Sequence, residues 1–206
     1  MNYTAELIQK NSLKTSKWSG GTTIELAIYP KGTSYTERNF TWRISSAKVE
    51  VIESTFTFLQ NIKRVIMPLD GCLVLEHHGH DPKELKPFEK DYFNGSWITK
   101  SYGKVTDFNL MMTEACEGNM EHHKIKSGQI IKQLIDNDQP IFSKITMGIY
   151  CVNHTINIRI LEDEWLLFSG DLVLISMNKL GKQLIEIVNI DTQEVDLVIT
   201  TIYYND

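Results

Sequence analysis

The 206-residue sequence is short of several residue types, and each shortage excludes a class of protein. Only four alanines are present, whereas isoleucine, valine and threonine together make up about a quarter of the chain. Because alanine favours helices and β-branched residues favour strands, a helical bundle is excluded and an all-β fold is expected. The longest apolar stretch is interrupted by Gly170 and Asp171, so no segment has the length of a membrane-spanning helix.

Charge and cysteine content indicate which partners and which compartment to expect. The net charge of −5 argues against nucleic acid or an anionic membrane as a partner. The three cysteines are widely spaced and form no CxxC motif, which predicts reduced, mostly buried thiols. The first residues lack the basic head and the apolar run of a signal peptide, so we expect a cytoplasmic location.

Alternation of apolar and polar residues predicts strands along most of the chain. The Asp70-Gly71 pair predicts a hairpin between residues 65–69 and 72–76. Residues 127–135 fit either a short helix or a strand, and we favour the strand.

Two halves of the chain resemble each other. Residues 72–76 parallel residues 155–159, and each half has a later Gly-Lys turn, at an offset of 75 to 83 residues. A duplicated small β-barrel would leave such a pattern. We therefore predict a first lobe of residues 1–118, which carries the distinctive motifs, and a structural second lobe of residues 119–206. One continuous β-sandwich is the alternative.

The distinctive motifs lie between Lys17 and Met112. They are Lys-Trp-Ser-Gly-Gly-Thr-Thr-Ile-Glu from residue 17, Trp-Arg-Ile-Ser at 42–45 and Asp-Phe-Asn-Leu-Met at 107–111. In this order they resemble the HutD/Ves family of bicupin proteins. The resemblance implies two fused double-stranded β-helix (jelly-roll) barrels and a non-catalytic, small-molecule-binding or regulatory role linked to histidine utilisation. The first motif departs from the family because no Asn follows Trp18 closely.

Two predicted strands supply a candidate binding site. Since alternate side chains of a strand share a face, Arg43 and Ser45 lie together, as do Asp107, Asn109 and Met111. An arginine fork binds a carboxylate, and the amide and hydroxyl offer donors and acceptors. With the resemblance, a few polar groups over an apolar wall predict a barrel interior that binds a small carboxylate, such as an N-formyl or N-formimino glutamate.

Trp18 and Glu25 belong to the first motif and complete the predicted set of ligand-binding residues. The alternative for Arg43 and Asp107 is a structural ion pair that faces no ligand. Arg64 is expected at the surface.

The six histidines suggest a metal site. His78 and His80 have the spacing at which two imidazoles of one strand bind one metal. However, Gly79 and the Asp81-Pro82 pair predict that the strand ends there. We therefore expect no metal or other cofactor and no catalysis, with a metal-dependent cupin enzyme acting on a small metabolite as the alternative.

An apolar run near residue 200 comprises Ile199, Ile202, Tyr203 and Tyr204. It fits either ordinary core packing, which we favour, or the surface of a homodimer.

Overall fold

The computed structural model describes residues 3–136, 141–178 and 181–205, and confirms the all-β prediction. Within these residues the helical structure is one 3-10 turn, Lys10–Ser12, and no helix is long and apolar enough to cross a membrane. The strands are β1 (Tyr3–Ile8), β2 (Thr15–Trp18), β3 (Gly21–Tyr29), β4 (Trp42–Val49), β5 (Glu53–Thr55), β6 (Ile62–Pro68), β7 (Leu73–His77), β8 (Lys83–Leu85), β9 (Asp91–Asn94), β10 (Thr99–Tyr102), β11 (Thr106–Thr113), β12 (Glu117–Ile125), β13 (Ile130–Asp136), β14 (Lys144–Cys151), β15 (Thr155–Ile160), β16 (Asp163–Phe168), β17 (Leu172–Asn178), β18 (Lys182–Asn189) and β19 (Val195–Tyr204).

The chain forms two compact units. The N-terminal lobe is Leu13–Ala115, and the C-terminal lobe combines Met1–Ser12 with Cys116–Asp206. The sequence placed the first twelve residues in the first lobe, within residues 1–118. The structure differs because β1 pairs along its whole length with β17, a strand of the C-terminal lobe.

Both lobes consist of two antiparallel sheets with a shared strand order. The N-terminal lobe has the sheets β2-β3-β4-β11-β6-β9 and β5-β10-β7-β8. The C-terminal lobe has the sheets β1-β17-β14-β19-β12 and β13-β18-β15-β16. The order β4-β11-β6-β9 thus corresponds to β12-β19-β14-β17, and the two four-stranded sheets correspond strand for strand. This repeat is the double jelly-roll architecture that the resemblance implies.

Alternating apolar residues hold the two sheets of each lobe together. In β14, Ile145, Met147 and Ile149 face the core of the C-terminal lobe, which also contains Ile158 of β15 and Ile187 of β18. Each such side chain contributes about 1.5–3 kcal/mol when it leaves water. In the N-terminal lobe a corresponding cluster consists of Val49, Ile66, Leu73, Leu75, Leu85, Phe93 and Val105.

The predicted hairpin at Asp70-Gly71 is wrong, because β6 and β7 belong to different sheets. The turn itself exists. Gly71 has a φ of 68°, and Asp70 Oδ1 accepts a hydrogen bond of 2.5 Å from the backbone N–H of Thr106. It carries the chain from one sheet of the barrel to the other. Residues 130–136 form β13, which pairs with β18, so the strand favoured for this region is present.

The apolar run of β19 packs inside the chain. Ile199, Ile202 and Tyr204 are at most 5% exposed, and Tyr203 packs against the core of the C-terminal lobe. Core packing therefore accounts for these residues.

Candidate ligand-binding site

Two neighbouring strands place polar side chains on the face that lines the interior of the N-terminal lobe. The register of β4 and β11 sets Ser45 opposite Asn109 and Arg43 opposite Met111. Asp107 lies two residues before Asn109, on the same face of β11. All five are at most 5% exposed. The structure therefore brings five of the seven predicted ligand-binding residues together.

Arg43 is held by Glu25. Its Nε donates to Glu25 Oε2 at 2.7 Å, and its Nη1 donates to Ser45 Oγ at 2.9 Å. The guanidinium also lies 4.6 Å above the ring centre of Tyr35. The suggested ion pair between Arg43 and Asp107 is thus replaced by one with Glu25, whose side chain is 38% exposed. Glu25 orients Arg43 from the rim of the site.

Arg64 corrects another prediction, because it is buried rather than at the surface. It lies on β6 opposite Met111 and is 6% exposed. Its Cζ lies 4.5 Å from the ring centre of Phe56 and 5.1 Å from that of Phe93. Within the described residues its Nε has no hydrogen-bond partner. Burial lowers the pKa of Arg64 to about 10.

The signal for Arg64 was available in the sequence. Its strand was predicted to begin at residue 65, whereas β6 begins at Ile62. With the earlier start, Arg64 alternates with Ile66 and shares its inward face. The adjacent Lys63 points the other way and is only partly buried, which made the pair look like a surface segment.

Asp107 and Asn109 each have an unpaired buried oxygen. Asp107 Oδ1 and Asn109 Oδ1 have no hydrogen-bond partner in the described part of the chain. Burial raises the pKa of Asp107 to about 7, and this outweighs the opposing effects of the Arg64 charge and of a hydrogen bond from the Ala47 backbone. The carboxyl group therefore changes its charge near neutral pH.

His77 faces the same interior from the opposite sheet and is not among the predicted ligand-binding residues; it was considered only for the alternative metal site. Its Nε2 donates to Asp91 Oδ2 at 2.9 Å, and its Nδ1 lies 2.8 Å from Thr99 Oγ1. Its ring is 4.7 Å from that of Phe93 and 5.3 Å from that of Trp97. His77 is 4% exposed, so it is a fixed, fully bonded part of the wall.

The other predicted histidines lie outside this interior. His78 and His80 are exposed in the turn after β7, where His80 stacks on Trp97. In the described residues no three His, Cys, Asp or Glu side chains are grouped as metal ligands would be.

Trp18 does not join the polar set. It ends β2, the edge strand of the large sheet, and pairs with Gly21. Its ring is 39% exposed and packs over Gly20, where a Cβ atom would collide with it. Its contacts are those of a residue that covers a tight turn.

The arrangement suits a small polar molecule. Arg64 offers a donor, Asp107 and Asn109 offer oxygen atoms, and the rings of Phe56 and Phe93 provide apolar walls. Buried polar atoms in folded proteins are almost always paired with protein, water or a ligand. The unpaired atoms of Arg64, Asp107 and Asn109 therefore make this interior the candidate binding site, although the described residues also leave His123 Nε2 and Asn157 Oδ1 of the C-terminal lobe without a partner.

A model of the HutD family matches residues 10–189. The chain belongs to the HutD family. Among solved structures, this HutD-family chain is similar to the conserved protein PA5104 from Pseudomonas aeruginosa PAO1, with 16% identity, a TM-score of 0.81 and coverage of 97% of this chain and 98% of that one. It is similar to HutD from Pseudomonas fluorescens SBW25, with 19% identity, a TM-score of 0.68 and coverage of 96% and 98%.

A more distant likeness is to oxalate decarboxylase from Lactobacillus farciminis, with 7% identity, a TM-score of 0.65 and coverage of 97% of this chain and 86% of that one. At these identities the likenesses establish the cupin fold. A comparison with curated proteins gave no match. The family resemblance and the fold predicted from the sequence are thus confirmed.

In this HutD-family chain the C-terminal lobe has a different interior. Its core cluster consists of apolar residues, among them Ile145, Met147, Ile158 and Ile187. The described part of the lobe also buries Thr146, Asp171, Asn189 and Thr200, whereas the corresponding face of the N-terminal lobe carries two arginines.

Proposed function

We propose that this HutD-family protein binds a small carboxylate inside its N-terminal lobe and catalyses no reaction. The observation that carries the proposal is Arg64, a buried guanidinium between Phe56 and Phe93 whose Nε has no partner among the described residues. Burying such a group without an acceptor is costly. A carboxylate is the acceptor that fits the planar arginine fork.

The ligand that we propose is an N-formyl or N-formimino glutamate, which links the protein to histidine utilisation. Such a molecule has a carboxylate for Arg64 and an N–H group that can donate to Asn109 Oδ1. The structure of Pseudomonas fluorescens HutD is described as a formate condition, and the oxalate decarboxylase is a formate complex. Formate is the simplest carboxylate, which is consistent with this ligand class.

Thermal unfolding with added ligand tests the binding. N-formyl-L-glutamate should raise the melting temperature, because a ligand at a hundred times its Kd stabilises the native state by about 2.7 kcal/mol. Arg64→Met should abolish the increase. Arg159→Met is the matched control, since Arg159 is an exposed arginine paired with Glu164 in the other lobe. Absence of any increase with a panel of histidine-pathway carboxylates at millimolar concentration would contradict the ligand class.

Two further measurements examine the other parts of the proposal. NMR spectra of N-formyl-L-glutamate incubated with the protein should stay unchanged, and the appearance of a product would show catalysis.

A gene position within a histidine-degradation operon is expected. A position elsewhere in every genome that carries a close relative would separate the protein from this pathway.

A further inference from the structure

Asp107 differs from the other carboxylates of the N-terminal lobe interior because no cationic side chain is hydrogen-bonded to it in the described residues, and its hydrogen bond comes from the Ala47 backbone. Its Oδ1 is buried and unpaired within residues 3–136, 141–178 and 181–205. In the ladder it faces Ala47 of β4 and Pro68 of β6, whose side chains have no polar atoms. Glu25 is paired with Arg43, and Asp91 is paired with His77.

We propose that Asp107 binds the ligand as a neutral carboxylic acid, so that carboxylate binding takes up one proton from solvent. The inference rests on the proposed function, because it concerns the same site. The proton adds to one oxygen of the Asp107 carboxylate. The resulting O–H group donates to an oxygen of the ligand carboxylate, a short hydrogen bond of the charge-assisted kind.

The balance of charge around Asp107 favours proton uptake when the ligand binds. Arg64 of β6 forms no ion pair with a described carboxylate, so it can balance one negative charge. Arg43 of β4 is already balanced by Glu25 of β3 at 2.7 Å. An ionised Asp107 and an anionic ligand would therefore compete for Arg64, and their mutual repulsion favours protonation of Asp107.

The remaining titratable groups that face this space provide no further free positive charge. Tyr35, from the segment between β3 and β4, lies against the Arg43 guanidinium. His77 of β7 donates to Asp91 of β9 at 2.9 Å, so any charge on its ring is already opposed. The incoming carboxylate thus meets Arg64 as the available cation.

The free protein is close to the required state. Burial raises the pKa of Asp107 to about 7, and an anionic ligand raises it further. Ligand affinity should therefore be nearly constant below pH 6. Above pH 7 it should fall by up to tenfold per pH unit, because a proton must be bound together with the ligand.

Titration calorimetry with N-formyl-L-glutamate tests the coupling. The heat of binding at pH 8 is measured in phosphate, HEPES and Tris, whose enthalpies of ionisation differ, so that the slope gives the number of protons exchanged. We expect an uptake close to one proton at pH 8 and close to zero at pH 5.5. Asp107→Asn, which mimics the neutral acid, should show no uptake and an affinity that is independent of pH.

Each outcome has a distinct meaning. Proton release would show that Asp107 binds a ligand N–H as an anion, and would overturn the inference while leaving the proposed function intact. Zero proton uptake at pH 8, or equal proton uptake by wild type and Asp107→Asn, would also overturn the inference and leave the proposed function intact. No binding of any carboxylate at pH 6 would overturn both. Should Asp107→Asn fail to fold, 13C-NMR of aspartate-labelled wild-type protein must show one carboxyl titrating near pH 7 that shifts upward with ligand; a carboxyl that does not shift contradicts the inference.

Discussion

The two lobes share one strand order but differ in the side chains that they bury. In the C-terminal lobe several buried polar groups are paired within the chain: Thr146 Oγ1 lies 3.0 Å from the Tyr204 hydroxyl, and Asn189 Nδ2 donates to the carbonyls of Ile125 and Gln193. His123 Nε2 and Asn157 Oδ1 are buried there without a hydrogen-bond partner in the described residues. In the N-terminal lobe, Arg64, Asp107 and Asn109 each keep an unpaired atom. The lobes differ in kind of side chain: the N-terminal interior has two buried arginines, whereas the core cluster of the C-terminal lobe is apolar.

This difference shows how a repeated strand order can enclose interiors of different chemistry. The strand order determines which positions face inward, and the residue types at those positions determine the chemistry. On β6 an inward position is Arg64, whereas its counterpart strand β14 has Ile145, Met147 and Ile149. The comparison can be tested by placing a charge in the C-terminal lobe and by removing one from the N-terminal lobe.

The largest effect is expected when a charge enters the apolar lobe. Met147→Arg should lower the free energy of unfolding by about 3–5 kcal/mol, because it buries a charge without a partner. Met147→Leu conserves the volume and should cost less than about 1.5 kcal/mol. Urea unfolding measures both. A mild effect of the arginine would show that the C-terminal lobe also accommodates polar groups.

The reverse exchange removes a charge from the N-terminal lobe. Arg64→Met should stabilise the ligand-free protein by about 1 kcal/mol, because the cost of burying an unpaired guanidinium exceeds the cation–π contacts with Phe56 and Phe93. Arg159→Met in the C-terminal lobe should change stability by less than about 0.5 kcal/mol. A clear loss of stability in Arg64→Met would assign Arg64 a structural role instead.

The third prediction concerns the pH dependence of stability. Because the folded-state pKa of Asp107, about 7, lies above the unfolded value of about 3.9, the folded state binds more protons between these values. The contribution of Asp107 to stability is therefore present below pH 4 and is lost as pH rises to 7. Urea unfolding from pH 4 to 8 gives the free energy of unfolding of the wild type and of Asp107→Asn. The wild-type value minus the variant value should decline over this window. A flat difference would mean that Asp107 is solvated.

The sequence predicted the architecture well for a physical reason. Alternation along a strand determines which side chains share a face, and it correctly placed Arg43 with Ser45 on β4 and Asp107 with Asn109 on β11. The offset between residues 72–76 and 155–159 also corresponds to equivalent strands, β7 and β15.

The partners within the site were harder to predict, because they depend on pairing between distant strands. Glu25 reaches Arg43 across β3 and β4, whose register shifts at a bulge between Glu25 and Ala27. Arg64 was missed because an error of three residues in the start of β6 removed it from the strand. The partnership of His77 with Asp91 joins two sheets, and neither residue belongs to a distinctive motif.

Strand β1 makes the order of synthesis matter for folding. Residues of β1 leave the ribosome more than 160 residues before their partner β17, and Tyr3 can donate its hydroxyl hydrogen to Asp163 only after that later segment is made. All strands of the N-terminal lobe lie in Leu13–Ala115, so none of its strand pairs requires β1 or β17. A single cut between the lobes would therefore never yield two whole halves, since the first fragment would carry away a strand of the second.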